Sequence, residues 1–212
     1  GSGSGSGGLE AFQVKSIVPS SAVKVRNVKV RVLFNRDLDS GTVNGANIYV
    51  ENAGVPVDGT VTLASNRVVE FVPNTPCPEP NQTYKCFDAD TDYTVVVKSV
   101  VANSNGDLLG EDKTANFTTG AVVDVAAPSA TILLPTNYQS VSADDSVNIQ
   151  TEVTDDGGVS LVEFFAANNS FAAPIAVDPP SNKAVLENAW LVEGSLLSLV
   201  PLQVKVSDIA GN

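Results

Sequence analysis

The chain has 212 residues, 43% of them hydrophobic and 17% charged, with a formal charge of −12 and no histidine. That is enough apolar material for one large or two small cores, and too little charge for a disordered chain. The acidic balance argues against a nucleic-acid partner, no apolar run reaches the ~20 residues of a helical membrane span, and the want of histidine removes the Ser-His-Asp and Cys-His catalytic arrangements.

Residues 1–10 open with a Gly-Ser repeat, the composition of a flexible linker or expression remnant, and stand outside the fold. With neither an initiator Met nor a signal peptide, the chain is expected to be an excised fragment of a longer protein. From Ala11 the pattern is β. Val28, Val30, Val32 and Phe34 alternate with Lys29, Arg31 and Leu33, which predicts a strand with one apolar and one outward face. Asn44-Gly45 marks a turn, Ile48–Val50 another strand, and Asp58-Gly59 a hairpin-like turn before Thr60–Leu63. Val69 and Phe71, then Tyr93, Val95 and Val97, supply further inward rows, and Ala115–Thr119 closes the unit. Tyr93, at the start of the penultimate strand, stands where sandwiches place a tyrosine corner.

Cys77 and Cys86 bracket a polar, proline-containing segment. A disulfide there would close a surface loop, stabilise it by roughly 3 kcal/mol in the chain-entropy model and imply export; two free thiols are the alternative.

A second run of turns and alternations opens at Asp124. Ala130–Leu134 reads as a first strand, Val147–Val153 as a second, Val162–Phe164 as a third and Leu202–Val206 as the last clear one, with Pro174 and Pro179-Pro180 marking turns. Short strands at this spacing without a 3.6-residue period predict an all-β fold: two tandem antiparallel β-sandwiches, residues 11–120 and 124–212.

The ordered segments Val14–Pro19, Val32–Asp39, Val69–Pro73, Asp92–Val97, Asn105–Leu108 and Asn116–Thr119 resemble the bacterial Ig-like domain first associated with S-layer proteins. The stretch Asn74–Asp92, with the cysteines, is longer than that family's usual turn. Asp124–Pro128, Val153–Val159, Val162–Phe165 and Val206–Asn212 resemble another bacterial Ig-like group, common in adhesins and as accessory domains of secreted enzymes. The resemblances imply tandem seven-stranded sandwiches in secreted or surface proteins, with neighbouring Ig-like domains as partners and no catalytic residues to carry over. The second family has one more strand after the Asp-Ile-Ala-Gly-Asn212 ending, so the edge of Leu202–Val206 is expected to be open. A donor strand from another chain, an arbitrary cut, or a rearranged 166–200 region are the three explanations.

Chemistry concentrates in the acidic residues. Residues 10–120 carry 10 Lys/Arg against 13 Asp/Glu, and residues 121–212 carry 2 against 11. In an Ig-like sandwich the entry to the first strand, the second-to-third loop and the penultimate-to-last loop share one pole. That would gather Asp124, Asp155-Asp156 and Asp208 facing the first unit. Asp88, Asp90 and Asp92 would lie at the pole of the first unit that meets them. Oxygen ligands from several loops suit Ca²⁺, whereas the same residues in turns also cap backbone N–H groups. The Asp88–Asp92 run lacks the Gly and distal Glu of an EF-hand loop. The expectation is therefore a non-enzymatic stalk, scaffold or adhesin segment at a bacterial surface. A glycan- or protein-binding module, or an enzyme's accessory domain, is the alternative.

Overall fold

A computed structural model describes residues 10–193 and 199–212. The first unit builds eight strands: β1 (Val14–Val18), β2 (Val30–Phe34), β3 (Ile48–Asn52), β4 (Val55–Pro56), β5 (Gly59–Ser65), β6 (Val68–Pro73), β7 (Asp92–Val97) and β8 (Lys113–Thr118). They form two antiparallel sheets, β1-β2-β6-β5 and β4-β3-β7-β8, stacked face to face as the alternation requires. Val30, Val32, Phe34, Val69 and Phe71 from one sheet meet Ile48, Val50, Tyr93, Val95, Val97 and Phe117 from the other in one buried core. The Tyr93 hydroxyl accepts from the Asp88 amide at 3.0 Å, tying the strand to the chain just upstream, as a tyrosine corner does.

The hairpin turn lies at Ala53-Gly54, both with positive φ, between β3 and β4. Asp58-Gly59 does not form a hairpin turn; it carries the chain from one sheet into the other, since β4 and β5 belong to different sheets. The Cys77–Cys86 disulfide closes the long segment before β7.

In the second unit the expected second and third strands are one long bent strand. After β9 (Ser129–Leu134), β10 runs Ser146–Ala166, followed by β11 (Asn169–Ser170), β12 (Ile175–Leu191) and β13 (Leu202–Asp208). Residues 146–154 of β10 pair with β9 and the end of β12, whereas residues 159–166 pair with β13 and the start of β12. The register breaks between Thr154 and Val159, where Asp155-Asp156-Gly157-Gly158 bends the strand and its partner changes from β9 to β13. β12 bends as well: Pro179-Pro180 falls inside it rather than in a separate turn, at the interruption of its pairing between Ala176 and Ser181. Ile149, Val153, Val159, Val162 and Phe164 form this unit's core.

Strand β2 departs most from expectation, because all five of its residues are buried. Arg31 and Leu33, on its outward face, are only 2% and 5% exposed. The second unit covers that face: Leu161 packs with Leu33 and Val68 beside Ala176. Ile209 enters the first unit's core cluster. An outward face on an isolated sandwich has become the floor of a domain interface.

Candidate functional site

The junction begins where residues 23–26 of the first unit run beside the outgoing chain. Val23 N–H donates to the Thr118 carbonyl at 2.9 Å, Gly120 N–H to Val25 O at 3.2 Å and Arg26 N–H to Val122 O at 2.8 Å. The strands come close because Gly120 has no side chain; a Cβ there would lie 2.0 Å from the Lys24 carbonyl oxygen. Asn27 then pairs with the backbone of Asp124 in both directions, its Nδ2 donating to Asp124 O at 2.6 Å and its Oδ1 accepting from Asp124 N at 2.9 Å. The segment that reads as a short linker is thus hydrogen-bonded along its length.

Arg31 completes the contact. Its guanidinium donates to Ser160 Oγ at 2.6 Å and to the Asp208 carbonyl at 2.8 Å in the second unit, and pairs with Glu70 at 3.1 Å in the first. Lys29 N–H donates to Ile209 O at 2.8 Å, extending the sheet-like contact across the interface. The sequence hid this role, because an Arg alternating with valines on a strand is ordinarily solvated.

Beside this contact Asp124, Asp155 and Asp156 converge, each offering a carboxylate oxygen within 4.8 Å of the others. Asp124 and Asp155 are 5% and 9% exposed. Each uses one oxygen to cap a backbone amide: Asp124 Oδ1 accepts from Ala126 N at 2.9 Å, and Asp155 Oδ2 from Gly158 N at 2.7 Å. The other oxygens, Asp124 Oδ2 and Asp155 Oδ1, are buried without a partner. Gly157 leaves room for this approach, since a Cβ there would fall 1.9 Å from Asp124 Oδ2. Burial pushes the Asp124 carboxyl up to about 6, against the opposing Ala126 hydrogen bond, and the neighbouring Asp155, Asp208 and Asp156 charges add to it. Asp155 is raised as well, again chiefly by burial.

The other expected ligands lie differently. Asp208 is fully buried, but its oxygens are occupied: Oδ1 accepts from Gly211 N and Asn212 N, and Oδ2 from Asn212 Nδ2. Asp88, Asp90 and Asp92 are exposed and stand outside the convergent group. They border the start of the junction, where the Asp88 carbonyl accepts from Thr119 Oγ1 at 2.6 Å and Asp92 Oδ1 from Thr118 Oγ1 at 2.6 Å.

A family model described as a bacterial Ig-like domain matches residues 10–119, and one described as a bacterial Ig domain matches residues 128–187. No curated protein matches the chain in sequence. Among solved structures, the N-terminal part of the bacterial S-layer protein SbsC is similar at 17% identity and a TM-score of 0.39, covering 91% of this chain and 43% of that one. The fibronectin(III)-like modules of Clostridium thermocellum CbhA are similar at 12% identity and a TM-score of 0.34, covering 94% and 87%. A fragment of Escherichia coli alpha-2-macroglobulin is similar at 14% identity and a TM-score of 0.40, covering 84% and 60%.

Proposed function

Since the chain belongs to the bacterial Ig-like domain family, matched over residues 10–119, we propose that it serves as a non-enzymatic spacer or stalk segment of a bacterial surface or secreted protein, holding its neighbouring domains at a set angle. The observation that carries this reading is Arg31, a buried cation of one sandwich hydrogen-bonded to Ser160 and Asp208 of the next. Interfaces between domains of one chain ordinarily resemble transient contacts and allow relative motion. This one is braced by a buried guanidinium, a reciprocal Asn27–Asp124 amide pair and the Leu33–Val68–Leu161 apolar contact. Force or position would be transmitted through the joint rather than lost in a hinge. The Cys77–Cys86 disulfide supports an oxidising, extracytoplasmic setting. Small-angle scattering tests the reading. The wild-type profile should fit one interdomain angle, and Arg31→Ala with Asn27→Ala should require a spread of angles. A wild-type chain that already samples many angles would overturn it.

Strand addition is a second reading, favoured by β13. This strand pairs with β10 on one side and, among the described residues, with nothing on the other. Leu202, Val204 and Val206 remain half-buried against the second core. The described part of region 166–200 does not cover that edge, because β12 pairs on the opposite side of β10. A peptide of alternating apolar residues should then bind beside β13 and raise the melting temperature; a closed edge would show no such binding.

A further inference from the structure

We propose that Asp124, Asp155 and Asp156 form a calcium site at the junction, in which one ion ties the strap between the two units to the bend of β10. Three observations converge on it. The ligand oxygens lie within 4.8 Å of one another, a span that one ion with bonds of roughly 2.3–2.6 Å can bridge, since oxygens on opposite sides of its shell are about 5 Å apart. Asp124 Oδ2 and Asp155 Oδ1 are buried and without any hydrogen-bond partner. A carboxylate oxygen left so is costly unless something outside the protein chain satisfies it. Finally, among the described residues no Lys or Arg forms an ion pair with Asp124, Asp155 or Asp156, so their mutual repulsion has no internal counter-charge.

Backbone capping does not account for this arrangement. It occupies one oxygen of Asp124 and one of Asp155, and leaves each with a second, buried oxygen that no donor reaches. Gly157 keeps that space open. Asp208 contributes negative charge nearby but has its oxygens engaged by residues 211 and 212, so it is not a ligand. The donor set is all oxygen: the chain has no histidine, and both cysteines are in a disulfide. Zinc and copper prefer nitrogen and sulfur, and magnesium demands a near-ideal octahedron, whereas calcium accepts an irregular shell completed by water. Because Asn27 already grips the Asp124 backbone, the ion would extend a continuous link from the first sandwich to the second.

This site deepens the spacer reading, because it lies in the same joint, but it is tested separately. The full chain is dialysed against EDTA and titrated with calcium chloride by calorimetry and by thermal unfolding. One ion should bind per chain, with a dissociation constant of roughly 0.1–1 mM, as in extracellular modules. The melting temperature should rise by about 3 °C at a tenfold excess over that constant. Asp156 is exposed, so Asp156→Asn should fold normally and weaken binding by about tenfold. Asp124→Asn with Asp156→Asn should abolish binding, while melting in EDTA no lower than the wild type shows that the fold is intact. Calcium binding that survives in that double variant would place the ion elsewhere and overturn the site. A wild type that ignores calcium up to about 10 mM would overturn it too. If scattering still gave one interdomain angle, the spacer reading would stand.

Discussion

Arg31 carries more of the molecule than its place in a strand suggests. Its guanidinium is 2% exposed and divided between Glu70 on its own sheet and two oxygens of the second unit. Replacing it with Met removes its two charge-assisted bonds to the second unit, while Ser160 Oγ keeps its bond to the Asp208 carbonyl and Ser20 and Lys24 keep theirs to Asp178 and Asn182. Glu70 keeps Lys29 at 3.4 Å and is 18% exposed, so it can rehydrate. The loss should therefore fall toward the lower end for a broken buried pair, about 2–3 kcal/mol by urea unfolding. A change below about 0.5 kcal/mol would mean that the Arg31 bonds to the second unit contribute nothing net. Asp124 gives a prediction of the opposite sign. Its folded carboxyl titrates at about 6, above the ~3.9 of an unfolded aspartate. The folded state therefore binds that proton more tightly than the unfolded one, and stability is lost as pH rises from about 4 through 6. Asp155 shifts in the same direction. The charges acting on Asp124 are those of Asp155, Asp208 and Asp156, and those acting on Asp155 are Asp208 and Asp156, all of them negative. In EDTA the melting temperature should be higher at pH 5 than at pH 7.5, and Asp124→Asn should flatten that difference. A flat wild-type profile would show that the carboxylate is solvated.

Among the elements, β10 and the cysteine loop show how local chemistry shapes larger pieces. β10 could have been two strands joined by a loop. Asp155 caps Gly158 N–H, and Gly158 adopts φ +112°, a conformation few side chains tolerate, so the chain turns without leaving the sheet. The same bend, at which the partner of β10 changes from β9 to β13, delivers Asp155 and Asp156 to the junction. The Cys77–Cys86 loop is a separate device. It closes a short segment whose backbone also bonds internally, from Cys77 N to Tyr84 O and from Cys86 N to Thr75 O, both at 2.9 Å. Phe87, immediately after it, stacks among Phe71, Tyr93 and Phe117 in the core. Cys77→Ser with Cys86→Ser should lower stability by roughly 2–3 kcal/mol and spare the rest of the sandwich. Thiol titration of the unfolded, unreduced protein should find no free groups.

For the molecule entire, the interface makes two small sandwiches depend on each other. Ile209 of the second unit is completely buried within the first unit's core cluster, and Leu33 and Val68 of the first are buried against Leu161. Thermal unfolding followed by tyrosine fluorescence, to which the first unit contributes Tyr49, Tyr84 and Tyr93, and by Trp190 of the second unit should therefore report one transition. Two resolved transitions would mean that the units fold independently and the interface adds little. Residues 10–120 expressed alone should be less stable than in the full chain, because Arg31, Leu33 and Val68 would then face water.

The first sandwich was almost wholly legible in the sequence, because a strand with one buried face writes a period of two into its own residues. Val30, Val32, Val69, Phe71, Tyr93, Val95 and Val97 could hardly face anything but a core. The gathering of Asp124, Asp155 and Asp156 could be anticipated from loop positions common to the fold, since the pole on which a loop emerges follows from strand order. What alternation cannot record is a face that is polar by pattern and buried by a neighbour. Arg31 and Leu33 look outward in sequence, and only the packing of Leu161, Ser160 and Asp208 against them determines that they are interior. Nor could the sequence assign the individual oxygens. Asp208 lies close to the other carboxylates, yet the Gly211 and Asn212 amides claim it, whereas one oxygen each of Asp124 and Asp155 is left over. The count of donors around a buried carboxylate depends on contacts far apart in the chain, and those exist only once both units have folded and docked.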